Sequence, residues 1–277
     1  GRSKMTLFTI DRTKCKKDGI CAAACPSQII VWKDKKSFPE LLDGGEAYCI
    51  DCGHCVAVCP HGAFILNTMP PDVCTTLDQN LLPDAPSLKH LLQARRSVRS
   101  YKKKTVPRKV ISDLLEVVRY APTASNMQQV HWMVFHDPDE VQKLAAMVID
   151  FLKQMLPLVP DDAADRYRRI IHVWDSGVDR IMRGAPHLVV AHSPSAVSFP
   201  EANCAHALAY LELYACAGGL GTCWAGYFTA AANAHEPLIR TLDLPAGHRC
   251  YGAVMLGYPR YRYRRIPARD AAKLNFR

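Results

Sequence analysis

Two runs of cysteine carry the most specific chemistry in this 277-residue chain. The first reads Cys15-Lys-Lys-Asp18-Gly-Ile-Cys21-Ala-Ala-Ala-Cys25-Pro26 and the second Cys49-Ile-Asp-Cys52-Gly-His-Cys55-Val-Ala-Val-Cys59-Pro60. The second follows the iron–sulfur spacing C-x2-C-x2-C-x3-C-P at every position, and the first at all but one, where Asp18 replaces a cysteine. Three thiolates on a tight loop reach three corners of one iron–sulfur cube, while the fourth begins a new turn and points away. A zinc site would need four ligands, usually as two close pairs, and gives no reason for two Cys-Pro endings. A disulfide framework would need an export signal, and nothing after Met5 has the basic-then-apolar form of one. The four residues before Met5, Gly-Arg-Ser-Lys, read as a vector-derived remnant.

Residues 5–68 resemble the bacterial two-cluster ferredoxins. The resemblance implies a crossed ligand set, with Cys49, Cys52 and Cys55 joined by Cys25 on one cluster, and Cys15, Asp18 and Cys21 joined by Cys59 on the other. Both clusters are then of the 4Fe-4S type, with two readings open at Asp18. Its carboxylate is an oxygen ligand to the fourth iron, or that iron is missing and the cluster is 3Fe-4S.

Residues 7–10, 28–32 and 63–66 read as short strands, and the Ala-rich segments after Cys21 and Cys55 as single helical turns. Residues 33–46 form a polar, turn-rich loop. A domain this small buries little apolar surface, so cluster binding must contribute to its folding. Residues 69–86 contain four prolines and read as an extended, fairly stiff linker, in which Cys74 is a bystander.

The second domain, 87–277, opens on Ser87 as N-cap of an apolar-periodic run over 88–94. Next comes Arg95-Arg96-Ser97-Val98-Arg99-Ser100-Tyr101, which taken alone is a solvated basic face. Residues 107–120 carry a helical apolar pattern. A polar loop follows, Ala121-Pro122-Thr123-Ala124-Ser125-Asn126-Met127-Gln128-Gln129, entering a strand over 130–135. Its small residues allow close approach, and its amides both donate and accept, which suits the edge of a flat heterocycle.

These segments, with Gly184-Ala-Pro-His-Leu-Val-Val190, Gly218-Gly-Leu-Gly-Thr-Cys-Trp-Ala-Gly226 and Leu256-Gly-Tyr-Pro259, resemble in order the nitroreductase family of FMN enzymes over residues 87–269. The resemblance implies an α+β fold, a sheet sandwiched by helices, in an intertwined homodimer with FMN at the subunit interface. Carried over by position, Arg95, Ser97 and Arg99 meet the FMN phosphate and ribityl oxygens, the guanidinium fork being suited to phosphate. Pro122, Thr123, Ala124, Asn126 and Gln128 lie along the isoalloxazine ring. Ala225 and Gly226 offer backbone N–H groups to flavin N5, and Arg265 and Arg269 supply a second phosphate clamp, with Arg262 and Arg264 close by.

The rest of the chain reads as structure. Residues 160–182 form a packing and lid helix, and 203–217, apolar nearly all round, a central buried helix at the dimer interface. Cys204, Cys216 and Cys250 read as core cysteines, and Cys223 stays open because it adjoins the flavin segment. The eleven histidines form no H-E-x-x-H array. Gly218-Gly-Leu-Gly lacks the third glycine of a dinucleotide loop, Trp224 standing there, so no domain is dedicated to NAD(P)H.

The formal charge of +9 raises nucleic acid as a partner, but no recognition motif accompanies the Arg260–Arg265 cluster. No apolar run has the length of a membrane span, and thiolates and clusters point to a reducing cytoplasm. The expected function is an FMN oxidoreductase fed by a one-electron donor such as ferredoxin or flavodoxin. It reduces a small-molecule substrate (nitroaromatic, quinone or activated alkene) by hydride transfer, with no catalytic acid assigned. The alternatives are a non-catalytic electron-transfer protein, a flavin-dependent reductive dehalogenase, and a substrate dehydrogenase that reduces ferredoxin.

Overall fold

The computed structural model describes residues 6–277, and the chain divides into two compact units. The first comprises residues up to Leu82 together with Ser125–Met127, and the second the remainder from Pro83.

The first unit is an internal repeat with an offset of 34 residues. Lys17 (φ 56) matches Asp51 (φ 51), Gly19 (φ 75) matches Gly53 (φ 70), and Gln28 (φ 53) matches Gly62 (φ 57). Each glycine sits in the left-handed region and starts a short helix, Ile20–Ala24 (α1) and His54–Ala57 (α2). Glycine is needed at the first for a second reason: a Cβ on Gly19 would lie 2.5 Å from the Trp32 ring. Strand Phe8–Ile10 (β1) pairs antiparallel with Phe64–Leu66 (β4), and Ile30–Val31 (β2) with Glu40–Leu41 (β3). The β3 strand lies inside the segment expected to be loop, because the alternation there is too short to show in the sequence. Cys21, Ile29, Ile30, Val56, Phe64 and Leu66 form the small core.

Pro70–Leu82 holds two short turns, Pro71–Val73 and Gln79–Leu81. Helix Ala85–Ala94 (α3) opens the second unit, with Asp84 rather than Ser87 as N-cap. The Asp84 carboxylate accepts the Ser87 N–H at 2.9 Å, and Pro86 fits the first turn, where an N–H is not needed.

The sheet of the second unit runs in the order β5-β6-β8-β7, all antiparallel, from His131–Phe135 (β5), His187–Pro194 (β6), Gly221–Trp224 (β7) and His248–Gly257 (β8). Both of its faces are covered, as strands buried at nearly every position require. On one side pack Arg108–Val118 (α4) and Pro200–Ala217 (α7), burying Ile111, Leu114, Val118, Leu208 and Leu211. On the other pack Pro138–Met155 (α5), Asp161–Asp175 (α6), Gly226–Ala231 (α8) and Glu236–Leu242 (α9). Within the chain α7 is buried on one face only, since Tyr210 and Tyr214 are exposed on the other. The Leu88 and Leu92 side chains of α3 are exposed too. No helix among the described residues is long and apolar enough to cross a membrane.

A histidine pair fixes the strap between α3 and α4. His187 is fully buried; its Nε2 accepts the Val106 N–H at 2.7 Å and its Nδ1 pairs with the His136 carbonyl at 2.9 Å. Burial pushes His187 down to about 4, which keeps one nitrogen free to accept.

Candidate functional site

In the first unit every motif cysteine is free. Cys25, Cys49, Cys52 and Cys55 line one small pocket, walled by Leu7, Phe8, Ile29, Phe64 and Leu66. Burial pushes the Cys55 thiol up to about 11, and the neighbouring thiolates of Cys52 and Cys25 add to it. In the other group burial likewise pushes Cys21 up to about 11, with added repulsion from Cys15 and Cys59. A cluster of thiols that repel each other's ionisation is a set that a cationic iron–sulfur core would stabilise. The indole Nε1 of Trp32, whose ring packs on Gly19, is buried without a partner, as a donor to an inorganic or thiolate sulfur would be in its absence. The donors present therefore fit the iron–sulfur groups, in two crossed sets.

Asp18 stands at the backbone position of Cys52, but it is exposed and its Oδ1 accepts the Ile20 N–H at 3.3 Å. Among the described residues no three His, Cys, Asp or Glu side chains gather as a single metal ion would need. Cys74 is exposed and outside both sets.

In the second unit, residues 95–102 run beside β7 and the end of β8. The Val98 N–H donates to the Thr222 carbonyl at 2.8 Å, and the Lys102 N–H to that of Tyr258 at 2.9 Å. This approach depends on Gly221, where a Cβ would lie 2.5 Å from Val98. Arg95 lies 3.5 Å from Glu212, which also accepts from Thr222 Oγ1 at 3.2 Å. Ser97 and Arg99 adjoin Cys223: burial raises that thiol, and Arg99 and Arg183 oppose the rise. Arg183, with φ 58 in the loop before β6, gave no signal in the sequence. Arg95, Arg96, Lys102, Arg260 and Arg262 line an open cavity of about 360 Å³. Cationic walls of this kind fit a phosphate. Arg265 and Arg269 are exposed and lie outside that cavity, on a tail without regular structure.

The loop expected along a ring holds a strained turn, with Ser125, Asn126 and Gln128 all at φ near +50. It is held from beneath by Asn203, a buried residue of α7 that sequence reasoning missed. Asn203 Oδ1 accepts the Ala124 N–H at 2.9 Å and its Nδ2 donates to the Ser198 carbonyl at 3.0 Å. The Gln128 N–H donates to Thr123 Oγ1 at 3.0 Å, and both residues line a cavity with Trp132 and Arg119. Pro122 and Ala124 flank them in the same turn. Asn126 groups with the first unit, its Nδ2 donating to the carbonyls of Ile50 at 3.2 Å and Asp51 at 2.9 Å.

Of the two backbone donors expected after β7, the Ala225 N–H is committed to the Ala253 carbonyl at 2.8 Å. Gly226, the first residue of α8, keeps its N–H free of any partner among the described residues. Cys204 and Cys250 are core residues, whereas Cys216 is half-buried at the cationic cavity.

Strand register also gathers three histidines that no linear pattern reveals. His131 stands opposite His192, and His192 Nδ1 lies 2.9 Å from His248 Nδ1. One of those nitrogens must donate and the other accept, and burial pushes His192 down to about 4.

A profile described as the nitroreductase family matches residues 92–258, and one described as a 4Fe-4S dicluster domain matches residues 13–63. No curated protein matches the chain. Among solved structures, an FMN-bound nitroreductase from Bacteroides fragilis is 22% identical, with TM-score 0.55, over 68% of this chain and 98% of its own. Another, from Desulfitobacterium hafniense, is 20% identical, with TM-score 0.56, over 70% and 99%. An iodotyrosine deiodinase bound to FMN and 3-iodo-L-tyrosine is 19% identical, with TM-score 0.51, over 68% and 97%.

Proposed function

This chain belongs to the nitroreductase family, and from that premise we propose that it is an FMN-dependent oxidoreductase fed through two iron–sulfur clusters. Its substrate is a small organic acceptor, a nitroaromatic, quinone or activated alkene, reduced by hydride transfer. The single observation that carries this reading is the joining, in one chain, of two cysteine runs of iron–sulfur spacing with a nitroreductase domain. Bound FMN would supply the conversion between one-electron input and two-electron output.

The residues of the chain do the positioning. Arg95, Ser97 and Arg99 hold the phosphate and ribityl oxygens, with the tail arginines Arg265 and Arg269 completing the clamp. Pro122, Thr123, Ala124 and Gln128 set the edge of the ring, on a turn that Asn203 fixes from below. The free Gly226 N–H is the donor for flavin N5. Cys15, Cys21 and Cys59 hold one cluster, with Asp18 beside it, and Cys25, Cys49, Cys52 and Cys55 hold the other. The working form is a cytoplasmic homodimer, with the exposed tyrosine face of α7 supporting association.

The test is anaerobic reduction of the bound flavin by a reduced one-electron protein carrier, compared with NADPH. Faster reduction by the carrier, lost when Cys55→Ala removes a cluster, is the expected result. Faster reduction by NADPH with no effect of cluster loss would overturn the electron route. Fewer than about four irons per chain, or no FMN, would sink the whole reading.

A further inference from the structure

The charge of the first unit is sorted by half. From residue 6 to 36 it carries Arg12, Lys14, Lys16, Lys17, Lys33, Lys35 and Lys36 against Asp11, Asp18 and Asp34. From 37 to 82 there is no Lys or Arg at all, while Glu40, Asp43, Glu46, Asp51, Asp72 and Asp78 are present. The two halves share a backbone, so the sorting is not imposed by the fold.

The basic charges are also gathered in space. The Arg12 guanidinium lies 5.1 Å and the Lys17 ammonium 4.4 Å from the centroid of one ring, Phe38. Arg12, Lys36 and Phe38 line one groove. Arg12, Lys16, Lys33, Lys35 and Lys36 are exposed, and among the described residues only Lys14 of these is in an ion pair, with Asp11 at 3.4 Å. The patch adjoins the first cysteine loop, because the Lys17 N–H donates to Cys15 Sγ at 3.4 Å. Several cations held together raise the folded state's self-repulsion, and the fewer carboxylates among them, Asp11 on Lys14, Asp34 near Lys17 and Glu40 in the groove, offset it only in part, so the patch is a surface that an external anionic group relieves.

We propose that this basic face docks an acidic one-electron redox protein and places it at the first cysteine loop rather than the second. The proposal rests on the reading of the unit as an electron-input domain. Attraction at Arg12, Lys17 and Lys36, together with repulsion from the acidic half, orients the partner as well as attracting it. In each encounter the carrier is oxidised by one electron and this protein is reduced by one. Two encounters supply the electron pair that a hydride carries, and the proton comes from solvent.

The test is stopped-flow reduction of the holoprotein by an acidic reduced flavodoxin at ionic strengths of about 0.01 M and 1 M, where the Debye length is about 30 Å and 3 Å. A Arg12→Glu/Lys36→Glu double variant is compared with Lys143→Glu, an exposed residue of α5 in the other unit. The second-order rate should fall steeply with salt, and the double variant should lose about tenfold or more at low salt while Lys143→Glu matches the parent. Binding of the oxidised flavodoxin, read by titration calorimetry, should weaken in the same variant only. Cationic viologen radical, the small-molecule control, should reduce the double variant at least as fast as the parent. A rate independent of salt, or equal for the double variant and Lys143→Glu, overturns the docking face and leaves the electron-input reading intact. Failure of flavodoxin and viologen alike, with NADPH still reducing the protein, overturns both.

Discussion

Residues 15–26 and 49–60 adopt one backbone, down to matching left-handed residues 34 positions apart, yet one loop has a cysteine at its second ligand position and the other has Asp18. The shape of the loop therefore does not depend on the second thiolate. It depends on the glycines that begin α1 and α2 and on the burial of Cys21 and Val56 in the shared core. Where shape is held by other residues, a ligand can be exchanged and the potential of its cluster changed without refolding the domain. The charges follow the same rule, since one half is basic and the other acidic on equal backbones.

The largest effect expected is from removing iron. Both halves share a small core, so chelation under reducing conditions should abolish the cooperative unfolding of the first unit and leave that of the second. Scanning calorimetry should show two transitions before and one after; two transitions surviving would mean that packing around Phe64 suffices. Next comes exchange of the odd ligand. Asp18→Cys should change the electron paramagnetic signal of one cluster only, and Cys52→Asp should cost about one iron from the other. An unchanged spectrum in Asp18→Cys would place residue 18 away from any cluster.

Substituting the paired glycines should give a smaller and unequal loss. Either alanine incurs about 1–3 kcal/mol for a left-handed residue. Gly19→Ala should cost more, because its Cβ meets the Trp32 ring at 2.5–2.9 Å whereas that of Gly53 meets the flexible Met69 thioether. Equal urea midpoints would show that Trp32 yields as readily as methionine. A further effect lies outside the pair and marks the second unit as the reference. His187 titrates near 4 when folded and near 6.5 when unfolded, so the unfolded chain binds more protons between those values. Stability of the second unit should be complete above about pH 6.5 and decline as pH falls toward 4, and His187→Gln should flatten that decline. A decline equally steep in the variant would point to other groups.

Much of this was legible in the linear chain. The two cysteine runs, the odd Asp18, the helix over 108–118 and the strands β1, β2, β4 and β5 follow from local spacing, apolar period and turn residues, whereas β3 and the strands β6, β7 and β8 were not read as strands. Some local choices were misplaced by a few residues. The N-cap went to Ser87 because an apolar run begins there, although Asp84 three residues earlier caps more strongly and Pro86 fits the first turn. The α7 helix is expected from its apolar composition to be a central helix at a dimer interface; in the single chain one face is buried in the core and Tyr210 and Tyr214 are exposed on the other. Asn203 was invisible because a buried asparagine in an apolar helix differs from a surface one only by what faces it.

The sequence by itself determined which side chains could bind iron and phosphate, because ligand type and spacing within one loop are local properties. Only the tertiary structure decided which thiolates share a space, that the Ala225 N–H belongs to the sheet and leaves Gly226 free, and that Asn126 turns to the carbonyls of Ile50 and Asp51. Those are questions of register and packing between segments far apart in the chain, and a hydrogen bond already made removes a donor that local sequence still offers.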